Sequence, residues 1–341
     1  MRVGTNPHKK RPELEPYKRH RIIVPIYIGA NHEYFREASE TLKLCFRTLF
    51  ATIDLEQVSV TVINNDSIPE VDQVLAPYIE SGQIDRYIQN STNRGKPDAV
   101  AAEIKACYEP FVTLTDCDVL FRHGWMRRLE EVFLAHRGVG AVSPFPAPNH
   151  QFYKCGTTWL TGLLNFRLRS GKYVSEQEID SFLSSIGKAP EHFPAQTKKM
   201  QFKLDSPACE TLIGAGHFVV MFRTAAFQQF HYTPKLAGAS NGEQDIDAEP
   251  DNLGYLRLST PGYHVYHLGN ALEDWMPGEV AKIEAESLQP LHSSTEFAPA
   301  LNDKRPLVGR IPPRLRRAAS SLIQLNAKFY RRHLGGRLGK Q

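Results

Sequence analysis

The sequence predicts an α/β fold in which a mostly parallel sheet carries helices on both faces, with an irregular insertion and a basic helical tail added to it. Two observations predict it. Strand-like and helix-like segments alternate between residues 21 and 145, and such alternation buries a parallel sheet between two helix layers. The strands are short apolar runs with β-branched residues, while the segments between them place apolar residues at helical spacing.

In order, Arg21 to Ile28 is the first strand, and Pro25 near its end marks a stop or an edge because proline gives no N–H to a ladder. Residues 33–52 set Phe35, Ala38, Leu42, Cys45, Phe46, Leu49 and Phe50 close to helical spacing. Val58 to Ile63 is the second strand, and Pro69 opens a short helix over 69–81. Ile84 to Gln89 is the third strand, Lys96 to Tyr108 a helix, and Pro110 to Thr115 the fourth strand. His123 to His136 is helical, and Val139 to Ser143 returns to a strand. Residues 147–207, rich in Ser, Gly, Pro and aromatics, read as loops and short helices. The chain thus divides into a basic extension 1–20, a first half 21–145, a second half 146–275 holding the insertion 147–207, and a C-terminal extension 276–341.

The 341 residues are 41% hydrophobic, enough for a sizeable core. No apolar run reaches the roughly 18 residues a spanning helix needs, and Met1 to Arg21 lacks the apolar centre of a secretory signal. The five cysteines form no CxxC pair, which fits free thiols in a reducing cytoplasm. Charge is segregated: residues 1–21 carry +5, residues 304–341 carry +11, and the body between them carries −12. An acidic body argues against a nucleic-acid partner, whereas basic ends suit an anionic surface. In the tail, Leu315, Ala319, Leu322, Ile323 and Phe329 form a helical apolar stripe among basic neighbours. Such a helix can lie at the inner face of a membrane or pack on the acidic body.

The fourth strand runs into Asp116-Cys117-Asp118. Residues i and i+2 of an extended segment point the same way, so Asp116 and Asp118 can face one point while Cys117 turns aside. Two carboxylates so placed repel unless a positive group sits between them. A divalent cation, Mg or Mn, answers that need, since both accept oxygen ligands and bind through carboxylates plus substrate phosphates.

In these segments and their order the chain resembles the family 2 glycosyltransferases, of the nucleotide-diphospho-sugar transferase (GT-A-type) fold. The resemblance covers about residues 21–270 and rests on Ile23-Val-Pro25-Ile-Tyr27, on Val62-Ile-Asn64-Asn65-Asp66-Ser67, and on Asn93-Arg-Gly95-Lys96 followed by Thr115-Asp116-Cys-Asp118. It continues through Gly214-Ala-Gly216-His-Phe218, Gly242-Glu243-Gln244-Asp245-Ile-Asp247, Gly254-Tyr255 and His267-Leu-Gly269.

The resemblance implies a metal-dependent, inverting transfer of a sugar from a nucleotide-diphosphate donor to a hydroxyl of a glycan or lipid-linked glycan, in envelope or capsular polysaccharide or glycolipid synthesis. It implies donor contacts from Pro25, Tyr27, Asn64, Asp66, Asn93, Gly95, Lys96 and Asp116, and a metal held by Asp116, Asp118 and His267. Asp245 is the implied base, with Glu243 beside it as the alternative, because Gln244 stands where the family usually has Glu. Asn64 stands where the family often has Asp. A sugar-nucleotide nucleotidyltransferase shares the layout but needs a basic, Gly-rich loop after the first strand, and Gly29-Ala-Asn-His does not match one. A degenerate transferase fold acting as a scaffold is the non-enzymatic alternative.

Overall fold

The computed structural model describes residues 3–4, 16–30, 33–165, 167–193, 195–234, 242–302 and 304–333, with the backbone alone at 196, 323, 324 and 326–333. The first half alternates as expected: β1 (His20–Ile26), α1 (Ala38–Thr52), β2 (Val58–Asn65), α2 (Pro69–Glu80), β3 (Arg86–Asn90), α3 (Lys96–Lys105), β4 (Phe111–Thr115), β5 (Val119–Phe121), α4 (Trp125–Ala135) and β6 (Val139–Ser143). The second half adds α5 (Gly156–Leu164), β7 (Leu168–Gly171), α6 (Glu176–Ser185), α7 (Ala195–Lys199), β8 (Gln201–Leu204), β9 (Leu212–Ile213), β10 (Val219–Arg223), α8 (Gly242–Asn252), β11 (Leu256–Ser259) and β12 (Val265–His267). The chain continues through α9 (Trp275–Ala285), α10 (Ser294–Leu301) and α11 (Pro313–His333).

The described strands form a ten-stranded sheet in the order β3-β2-β1-β4-β10-β6-β11-β9-β8-β7, and β5 and β12 make a separate ribbon. β3, β2, β1 and β4 run parallel, and β10 enters antiparallel between β4 and β6. The strand pleat sorts side chains to two cores. Ile22, Val24, Val60, Val62 and Phe111 face a layer that contains Leu42, Phe46, Leu75 and Leu129 of α1, α2 and α4. Ile23, Ile63, Val112 and Leu114 face the opposite layer, with Val100 and Ile104 of α3 and Ile246 of α8.

Two expectations need correction. The helix expected over 33–52 is broken: Glu33–Phe35 is a 3-10 turn, and α1 starts only at Ala38. Residues 147–207 are more ordered than a loop reading allows, because β7 and β8 pair antiparallel and extend the sheet. β7 is a four-residue edge strand with its middle residues exposed, so it carries no apolar alternation to betray it.

The tail, which the sequence leaves between a membrane-facing helix and one packed on the body, docks by a polar face. α11 turns a polar face to the body: Arg316 and Ser320 are buried, while Leu315, Leu322 and Leu325 are 61%, 69% and 70% exposed. Arg316 Nη1 donates to Gly309 O (2.6 Å) and Ile311 O (2.8 Å), and its Nη2 donates to Asp251 O (2.8 Å) and Asn252 O (2.5 Å). Ile323 and Phe329 of the expected stripe, and most of the basic extension 1–20, lie outside the described side chains. Among the described residues no helix is long and apolar enough to cross a membrane.

Candidate active site

The carboxyl ends of β1, β2 and β4 share one rim, and the sheet opens there. β1 stays paired with β2 as far as Ile26 opposite Asn64, but with β4 only as far as Ile23. Pro25 falls just past that last partner, where a missing N–H costs no ladder bond. A cleft of about 440 Å³ occupies the opening, the place where parallel α/β sheets bind ligands because neighbouring connections leave in opposite directions.

Pro25 and Tyr27 line one end of the cleft, with Tyr34 and Phe35 beside them. Asn65, Asn93 and Gly95 line a second wall. Lys96, Asp116, Asp118, Glu243 and His267 complete it.

Asn64 is not brought to the lining. It is fully buried, donates its amide to Asp72 Oδ1 (3.0 Å) and the Tyr87 hydroxyl (2.9 Å), and accepts the Ser67 N–H (2.9 Å), so it closes the turn between β2 and α2. Asp66 is exposed at φ +66° within that turn and also lies off the lining. Asn65 takes the place instead. Its Nδ2 donates to Asn93 Oδ1 (2.8 Å), and its Oδ1 accepts from Asn90 Nδ2 (3.0 Å) and the Arg94 N–H (3.2 Å). Strand parity was the available signal: Val58, Val60 and Val62 face the first core, so Asn64 continues that side and Asn65 points to the other. Asn93 Oδ1 also accepts the Gly95 N–H (2.8 Å), and Gly95 sits at φ +77°, a conformation that favours glycine.

β4 ends at Thr115, so Asp116 to Asp118 is a bend rather than the extended segment the spacing argument assumed. Its backbone is held on both sides: the Asp116 N–H donates to Phe218 O (2.8 Å), and the Leu268 N–H donates to Asp118 O (2.7 Å). Pairing of β12 with β5 sets His267 opposite Val119, next to Asp118. One ligand atom from each of Asp116, Asp118 and His267 lies within 4.8 Å of the others, and His267 Nε2 is 3.6 Å from Asp118 Oδ2. Two carboxylate oxygens and one imidazole nitrogen fit a divalent cation. Burial raises the Asp118 carboxyl above its ordinary pKa, His267 opposes the rise, and Asp116 adds to it. Burial, with Asp118 beside it, also keeps the Cys117 thiol protonated.

Lys96 is the cation the structure itself supplies. Its ammonium pairs with Asp116 and lies 3.2 Å from Glu243 Oε1. Burial works against its charge, but the two carboxylates outweigh it and raise the pKa.

Glu243 and Asp245 both stand in the first turn of α8. Glu243 reaches the cleft, whereas Asp245 is exposed and outside the described lining. The acidic run they belong to is not a solvated face. Asp247 is buried, 3.3 Å from His217 Nδ1 and 3.5 Å from Arg257 Nη2. Asp251 is buried too, and its Oδ1 accepts the Thr157 N–H (2.7 Å).

Several solved structures are similar to this chain at low identity. The S. aureus TarS fragment 1–349 is 14% identical at a TM-score of 0.41, over 78% of this chain and 64% of that one, so this chain spans under two thirds of it. The mannosyltransferase PcManGT from Pyrobaculum calidifontis, solved with GDP-Man and Mn2+, is 14% identical at a TM-score of 0.43, over 94% of this chain and 79% of that one. TarS 1–349 with UDP-GlcNAc is 12% identical at a TM-score of 0.42, over 83% and 70%. No curated protein matches the sequence. The family model described as "Glycosyl transferase family 2" matches residues 22–224, from β1 through the Asp116–Asp118 bend to the end of β10. That span exceeds half of the chain and holds the whole parallel half of the sheet, and a nucleotidyltransferase reading gives way to it: the chain belongs to glycosyl transferase family 2.

Proposed function

We propose that this glycosyltransferase moves a sugar from a nucleotide-diphosphate donor to a hydroxyl of a glycan or lipid-linked glycan, with inversion at the anomeric carbon and with a divalent cation at Asp116, Asp118 and His267. The observation that carries the reading is the meeting of Lys96, Asp116, Asp118, Glu243 and His267 in one cleft at the carboxyl rim of the sheet. Pro25 and Tyr27 take the base of the donor. Asn65, Asn93 and Gly95 hold the ribose, and Asn64 shapes the turn that presents them. Lys96 meets the diphosphate. Mn or Mg, when bound, supplies positive charge that stabilises the departing diphosphate.

Glu243 is the base in this reading, because among the two candidates it is the carboxylate on the cleft. As the acceptor oxygen bonds to the anomeric carbon, the bond from that carbon to the diphosphate oxygen breaks and the acceptor proton passes to Glu243. Attack opposite the leaving group inverts the centre without a covalent enzyme intermediate.

The acceptor is met at an anionic membrane surface in envelope polysaccharide or glycolipid assembly. The outward leucines of α11 and the exposed Arg314 and Arg317 near them support this part of the reading.

A thermal-shift panel of nucleoside diphosphates and their sugars, with and without Mn, tests the proposal. One nucleotide class should stabilise the protein only with metal, and the double variant Asp116→Ala, Asp118→Ala should abolish the effect. Stabilisation of equal size without metal, or in the double variant, would remove the metal from the reading.

A further inference from the structure

A second cleft of about 500 Å³ opens beside the first, and His267 lines both. Its walls come from α6, from the ribbon of β5 and β12 with the turn before it, and from the start of α9. Apart from His267, the donor reading uses none of these residues.

The chemistry of this cleft is that of a sugar-binding surface. Trp275 is 44% exposed on its wall, and its indole Nε1 donates to Glu273 Oε2 (2.8 Å), which fixes the ring while leaving apolar surface open. Tyr266 stands beside it, ring centroids 6.3 Å apart and planes 68° apart. The Arg122 guanidinium lies 4.4 Å from the Tyr266 centroid and pairs with Glu279 at 2.6 Å, so the polar groups around the rings are held in place. Flat apolar surface with converging hydrogen-bonding groups matches a pyranose, which presents apolar C–H groups on its faces and hydroxyls at its rim. The charge narrows the class further. Glu178, Glu273 and Glu279 line the cleft against Arg122 alone, an arrangement that disfavours anionic ligands.

We infer that this second cleft binds the acceptor: a neutral or amino-sugar glycan chain, stacked on Trp275 and leading past His267 to the reacting centre. The inference rests on the glycosyltransfer reading and supplies its acceptor class. A cleft that shares a candidate metal ligand with the donor site is where an incoming sugar chain is both close to the transfer point and separate from the nucleotide.

The test uses the full chain loaded with Mn and nucleoside diphosphate. Calorimetry measures binding of cellotetraose, chitotetraose, deacetylated chitotetraose and tetragalacturonate to wild type, Trp275→Phe and Trp275→Ala. Trp275 is also a built-in reporter, since the other two tryptophans, Trp125 and Trp159, are at most 1% exposed. The expected result is saturable binding of at least one neutral or amino-sugar oligomer with a change in tryptophan emission. Trp275→Ala should weaken it about tenfold, the scale of one aromatic contact, while Trp275→Phe keeps most of it. Nucleotide binding should be unchanged in both variants. Nucleotide binding without any glycan response, equal glycan binding by Trp275→Ala, or preference for tetragalacturonate overturns the acceptor cleft and leaves the donor reading standing. Failure of nucleotide binding itself overturns the donor reading.

Discussion

Lys96 Nζ lies 3.2 Å from Glu243 Oε1 while the same ammonium pairs with Asp116, so one side chain joins the candidate base to a candidate metal ligand. The pairing has opposite consequences for the two ligands of the cleft. Without a cation the lysine neutralises part of the crowded carboxylates and so competes with metal. With donor bound, the same charge attracts the diphosphate. Lys96→Met is expected to tighten Mn binding several-fold in the absence of nucleotide and to weaken nucleoside diphosphate about tenfold, the scale of a partly screened ion pair. Calorimetry of each ligand alone checks both signs. Weaker binding of both would mean that Lys96 only props the fold.

Glu243 and Asp245 separate by what each variant spares. Glu243→Gln should keep donor and metal binding and lose transfer by about two to four orders of magnitude, the usual worth of a general base. Asp245→Asn should retain most of the rate, because its carboxylate is exposed and off the described lining. Full transfer by Glu243→Gln with loss in Asp245→Asn would return the base to the position the sequence alone favoured.

The sequence carried the parallel half of the sheet well because its strands are buried on both faces and its helices are amphipathic, so local pattern and tertiary packing agree. It also brought Asp116, Asp118 and Lys96 to one cleft, since a motif at a strand end lands on the carboxyl rim whatever the loops do. His267 needed the resemblance, because a lone histidine on a short strand has no local signature; what makes it a candidate ligand is the long-range pairing of β12 with β5. Asn64 and Asn65 were separable only through strand register, which a turn motif does not encode. The placement of the tail stayed open for a related reason. Period alone picks out the leucines of α11, but Arg316 is the residue that docks, because its guanidinium satisfies carbonyls left over at the ends of neighbouring segments.

That docking changes how membrane association should be tested. Deleting residues 304–341 would remove Arg316 and Ser320 from the body and strip Asp251 O and Asn252 O of the guanidinium that binds them. Substituting the outward residues Leu315, Leu322 and Leu325 by Glu leaves the docked face intact. Wild type should sediment with phosphatidylglycerol vesicles at low salt, and the triple variant should stay largely in the supernatant with an unchanged melting temperature. Equal pelleting of both would assign any association to another surface.

His136 predicts the acid limb of stability. Its side chain is 1% exposed, Nε2 meets Thr211 Oγ1 at 3.1 Å, and Nδ1 has no partner among the described residues. Burial, aided by the Arg167 guanidinium, lowers its pKa to about 4, against roughly 6.5 in the unfolded chain. As pH falls below about 6.5 the unfolded chain therefore binds the proton first. The stability present above that pH drains away down to about 4, by at most about 1.4 kcal/mol per pH unit and roughly 3 kcal/mol over the window. His150, lowered to about 3, and His264, lowered to about 4, act with the same sign, so the whole protein should fall more steeply than one site allows. His136→Gln keeps a polar group for Thr211 but removes the titration. In urea unfolding at pH 7 and pH 4.5, the variant should be weaker at pH 7 by its altered packing yet lose about 2 kcal/mol less than wild type on acidification. An identical acid loss in the two proteins would show that the fold leaves the His136 pKa where the unfolded chain has it.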